Sequence, residues 1–175
     1  MATPPPLPPE LALAQQHEAS PEVAVPEYQA LYQRCQSGTA TGLRGQKDDC
    51  GTVAFRFAQS LERAARYAEA AQVFIALPAL SRDRVKIARA RVRAALLQAD
   101  YLGAPGEALQ LCRQVIAEVP AEVPAEDALR LLVRLQTAAK DSSQPDPEAA
   151  LRAELARLAV ELRPYETIAS FALLY

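Results

Sequence analysis

From residue 26 to residue 162 the apolar residues of this chain recur every three or four positions, in blocks that stop at Pro or Gly. That period matches the turn of an α-helix and not the two-residue repeat of a strand. No segment sustains strict alternation of apolar and polar residues. Alanine fills 36 of the 175 positions, and it has the best helix propensity of any residue, while β-branched and aromatic residues are a minority. An all-α fold follows.

Seven helices are expected. They cover about 27–36, 52–65, 67–77, 82–101, 107–119, 125–140 and 148–163, separated by turns such as Gly103–Ala104–Pro105–Gly106 and the loop 141–147. Each has one stripe of Ala, Leu, Val or aromatic residues and an opposite charged face, so none is stable alone in water. Short connections make consecutive helices antiparallel neighbours. Small residues at Ala58, Ala65, Ala70 and Ala108 are suited to close approach between them.

The order of residues in 54–78 carries a resemblance. Ala58 and Leu61 precede a tight turn, Tyr67 follows it, and Ala70 and Phe74 come three and seven residues later. Residues 98–120 repeat the later half, with Gly103 at the turn, Ala108 at the close contact, Cys112 in place of the aromatic and Pro120 at the end. Residues 147–164 repeat it more faintly around Ala150. This pattern resembles the tetratricopeptide repeat. The pair Cys35 and Cys50 also resembles the cysteine pairs of Sel1-like bacterial repeats. The resemblance implies antiparallel hairpins stacked into a short solenoid that binds another protein. Anchoring alanines 38 and 42 residues apart, against about 34 for the family, and the absence of Trp keep an irregular six- or seven-helix bundle as the alternative.

Domain organisation is expected as a proline-rich leader over 1–26, a helical domain over 27–164 and an apolar segment over 165–175. The leader holds seven of the fourteen prolines, which favour extended polyproline II structure and a tether. A short helical turn through 10–19 is compatible with it. No signal peptide and no transmembrane run is visible. Cys35 and Cys50 bracket a 14-residue, glycine-containing loop between two helices and form a candidate disulfide, which would require an oxidising compartment. Cys112 reads as a small buried hydrophobe.

Charge directs the functional reading. The net charge of −2 excludes a globally basic nucleic-acid binder, yet 82–93 holds six basic residues and one acid. Arg82, Lys86, Arg89 and Arg93 share one helical strip, a candidate docking surface for an acidic partner, phosphate or lipid headgroups. The competing reading pairs the strip with acids such as Glu62 and Glu69. Nucleic acid is not expected, because no aromatic stacking groups accompany the strip. In the C-terminal segment Ile168, Phe171 and Tyr175 share a face that either caps the domain or docks into a partner.

No phosphate loop, nucleophile elbow or metal-ligand spacing occurs, and the single His17 lies in the leader. The expectation is a protein without catalytic residues, cofactor or metal: an interaction scaffold in a larger assembly, of the periplasm or cell envelope, tethered there by its leader. The alternatives are a cytosolic adaptor or chaperone of the same fold, and an anion binder acting through 82–93. Arg outnumbers Lys sixteen to three, a compositional association with GC-rich genomes that leans toward a bacterial source.

Overall fold

The computed structural model describes residues 9–39 and 49–138. Within them every regular element is helical: α1 (Pro9–Gln16), α2 (Pro21–Gln36), α3 (Asp49–Arg63), α4 (Tyr67–Ala76), a 3-10 turn (Leu77–Ala79), α5 (Arg84–Asp100), α6 (Pro105–Glu118) and α7 (Val123–Ala138). The all-α expectation holds. The expected helix at 148–163, the segment 165–175 and residues 1–8 of the leader lie outside the described residues.

The chain divides into two compact units, residues 1–87 and 88–175, with the boundary in the first turn of α5. In the first unit, α1 runs antiparallel to α2, since Glu10 pairs with Arg34 and His17 with Glu27. Helices α2 and α3 are antiparallel as well, joined by the Cys35–Cys50 disulfide and by a Tyr32–Phe57 ring contact. Helix α4 returns along α3, where the Phe55 and Phe74 rings meet edge to face at 5.3 Å. Leu11, Tyr28, Val53, Leu61, Phe74 and Leu77 are large side chains that this unit buries completely, and Ala58 and Ala70 are fully buried as well.

The helical turn allowed at 10–19 is present as α1, but the described part of the leader is more helical than the extended tether expected. Residues 9–16 and 21–36 are helical, although five prolines fall in the first nine positions and two more at 21 and 26. Pro9 and Pro21 each open a helix, where a missing amide costs nothing because first-turn amides have no intrahelical acceptor. Pro26 lies inside α2 and removes one bond. Burial of Leu11, Ala14, Ala24 and Val25 outweighs that loss.

Two helix ends show how sequence sets the turns. After α2, the Gly38 amide bonds the Cys35 carbonyl and the Thr39 amide bonds that of Arg34, with Gly38 at φ 70°. After α3 the same double bond recurs, from Ala65 to Glu62 and from Arg66 to Leu61, but the left-handed position (φ 57°) holds an alanine. Ala65 is therefore an exposed turn residue and not part of a packing seam.

In the second unit α5 and α6 are antiparallel, as the bonds Gln98–Glu107 and Arg91–Glu118 require. Helix α7 packs on α6, and Arg134 reaches back to Asp100 at the end of α5 at 2.7 Å. Ala88, Val92 and Ala95 meet Ala108, Cys112, Val115 and Ile116, and α7 adds Ala128, Leu129 and Leu132. A second stripe of α5 (Ala90, Ala94 and Leu97) is buried too.

Candidate functional site

The basic strip is only partly a helical strip. Asp83 caps α5: its carboxylate accepts the Lys86 amide at 3.0 Å, its carbonyl accepts the Ile87 amide, and its own amide bonds the Ser81 hydroxyl. The helix therefore starts at Arg84, and Arg82 lies before it, off the row that Lys86, Arg89 and Arg93 occupy. Arg82 and Arg89 are exposed, whereas Lys86 and Arg93 are half-buried. Lys86 donates to the Thr52 hydroxyl of α3 at 2.9 Å, and Arg91 pairs with Glu118 of α6. The acid partner expected at Glu69 is engaged elsewhere. Arg66 donates twice to its carboxylate, at 2.7 and 2.6 Å, and these bonds hold the Glu69 carboxyl below its usual range.

Ile168, Phe171 and Tyr175 lie outside the described residues. The candidate disulfide is present, with sulfurs 2.10 Å apart and α-carbons 5.6 Å apart. Cys112 is the free thiol, fully buried between α5, α6 and α7, and burial pushes it up to about 12.

A polar cluster that sequence spacing does not reveal surrounds Glu18. The Tyr28 hydroxyl donates to Glu18 Oε1 at 2.8 Å, Arg56 donates to Oε2 at 3.2 Å, and Arg63 donates to the Glu18 carbonyl at 3.0 Å. Burial and this hydrogen bond raise the Tyr28 phenol well above its ordinary range. His17, expected in an unstructured leader, places Nδ1 2.9 and 3.0 Å from the two Glu27 oxygens. Its partner is a carboxylate, with no nucleophile in the pair. Among the described residues no group of three or more His, Cys, Asp or Glu is placed to hold a metal ion, and no helix is long and apolar enough to cross a membrane.

An open cleft of about 550 Å³ lies between the start of α2 and the α3–α4 turn. Pro21, Val25 and Pro26 form one wall, and Arg63, Ala65 and Arg66 the other. Both guanidiniums already hold acids, Glu18 and Glu69, and Glu22 adds a carboxylate to the α2 wall.

The solvent side of α4 is the other distinctive surface. Ala68, Glu69, Gln72, Ile75 and Ala76 are exposed, and Pro78 and Ala79 continue the surface in the following turn. Glu69, paired with Arg66, is the one charged residue on this side of α4. Glu69 is the single ionisable acid or base of α4 apart from the Tyr67 phenol. Such a face has a visible signal in the sequence YAEAAQVFIA, though amphipathic counting passes over it because alanine fits either side.

Comparison with protein-family models, curated proteins and solved structures gives no match to this chain.

Proposed function

We propose that this chain is a non-catalytic helical-hairpin module that binds another protein within a larger assembly. The outer face of α4, where Glu69 is the one charge and Ile75 is 43% exposed, carries this reading. Surface helices ordinarily turn several charges to water, and a face poor in charge that exposes a large apolar side chain suits a partner surface. A tetratricopeptide-like organisation accords with the starts of α3, α5 and α7 at Asp49, Arg84 and Val123, 35 and 39 residues apart. The Cys35–Cys50 disulfide favours an oxidising compartment such as the periplasm or cell envelope over a cytosolic adaptor. Anion binding through 82–93 draws less support, because Lys86 and Arg91 are engaged within the fold.

The test is a photo-crosslinking residue at Gln72, on the α4 face, compared with one at Gln110, exposed on α6. The expected result is a discrete protein adduct from Gln72 in the native host, lost on Ile75→Glu and absent from Gln110. Equal adducts at both sites, or none at Gln72, would overturn the proposal. Alkylation of the denatured, unreduced protein before intact-mass measurement tests the compartment. One modified thiol of three supports it, and three modified thiols oppose it.

A further inference from the structure

We propose that residues 9–20 form a strap, latched to α2 and α3 by the carboxylate of Glu18, that opens as a unit while α2, α3 and α4 stay folded. The apolar hold on this strap is small. Of the eight residues of α1, Leu11 and Ala14 are buried, while Leu13 is 49% exposed. A helix of this length is not stable by itself in water. Its Glu10–Arg34 ion pair lies at the surface, where such pairs add little, and the half-buried His17–Glu27 contact reaches α2 alone.

Glu18 is different in kind. Its side chain is only 19% exposed, and its donors come from positions 10, 38 and 45 residues further along the chain. Tyr28 belongs to α2 and Arg56 and Arg63 to α3, so one residue ties the strap to both helices. Tyr28 is itself completely buried, and withdrawal of Glu18 leaves its hydroxyl without this acceptor. Withdrawal also costs Arg56 a charge-assisted bond, which is stronger than a neutral one. The contacts that hold α2, α3 and α4 to one another do not involve the strap: the Cys35–Cys50 disulfide, Tyr32–Phe57 and Phe55–Phe74. The strap can therefore leave without dismantling them. Its release frees twelve residues, about 40 Å of chain when extended, so the latch sets how far the chain before Ser20 extends from the domain.

Hydrogen–deuterium exchange of the full, oxidised chain tests this. Glu18→Gln is expected to speed exchange of the amides in 11–20 about tenfold or more, with α3 and α4 unchanged, because local opening exposes only its own amides. Glu10→Gln is expected to change them little. The double variant Arg56→Gln with Arg63→Gln removes the latch from the opposite side and should reproduce the Glu18→Gln pattern; it decides the matter if Glu18→Gln does not fold. Unchanged exchange in 11–20, or a parallel rise throughout α2, α3 and α4, would overturn the proposal. So would a wild-type strap that already exchanges at the unprotected rate.

Discussion

The Tyr32 ring lies 5.2 Å from that of Phe57, centroid to centroid, one helical turn back along α2 from the Cys35–Cys50 crosslink. The covalent bond and the ring contact thus fasten the same end of the α2–α3 pair. Because the rings pack without the crosslink, α2 and α3 should stay paired in the reduced protein.

Reduction should instead cost stability. The crosslink closes a 15-residue separation, which the chain-entropy account values at about 3 kcal/mol through the unfolded state. Paired Cys35→Ser and Cys50→Ser substitutions should lower the unfolding free energy by about that amount in urea, with the circular dichroism spectrum unchanged. Loss of helicity before denaturant is added would contradict this account.

Ala65 offers a stabilising substitution. Its φ of 57° is the left-handed conformation that costs an L-residue with a β-carbon about 1–2 kcal/mol, and its side chain is exposed. Ala65→Gly relieves that strain, and the greater freedom of glycine in the unfolded chain offsets part of the gain. The net expectation is a gain of about 0.5–1 kcal/mol, read as a higher denaturation midpoint. A lower midpoint would show that the turn is not strained.

Close packing around α4 is tested within one helix. Ala70 has no exposed surface, whereas Ala68, two residues earlier, faces water. Ala70→Leu should destabilise by about 1–3 kcal/mol through overpacking, and Ala68→Leu should change stability by less than about 0.5 kcal/mol. Similar effects from both would mean that α4 is oriented differently.

Cys112 makes stability depend on alkaline pH. Burial raises the folded thiol from 9.0 to about 12, with a smaller opposing effect from Arg134. Between these values the unfolded chain has released this proton and the folded chain has kept it, so stability falls as pH rises from about 9 toward 12. The contribution is fully present below the unfolded value. Tyr28 acts in the same direction, since its phenol is also raised. Cys112→Ala should flatten this decline in denaturant titrations between pH 8.5 and 10.5. A slope equal to that of the wild type would mean that the thiol ionises equally well when folded.

Much of the fold is legible residue by residue. The stripes Val53, Phe57, Leu61 and Ala70, Phe74, Leu77 are read from spacing, and each of these residues is buried. Helical period is a local property, so any buried face must repeat it. The same holds for Cys112 and for the turn at Gly103, whose φ is 63°. Asp83 shows where local reading slips. As the cap it moves the start of α5 by two residues and takes Arg82 off the basic row, and only the backbone geometry shows which polar residue does the capping.

Sequence alone determined that the chain would be helical, where most helices would break and which two cysteines could meet, because these follow from period, turn residues and loop length. Tertiary structure decided that a proline-rich leader would coil into α1 and the start of α2, that Glu18 would gather Tyr28, Arg56 and Arg63, and that α4 would turn Ile75 outward. Those outcomes depend on groups tens of residues apart sharing burial and hydrogen bonds. Proline's local preference and alanine's indifference to either environment carry no record of which distant partners will supply them.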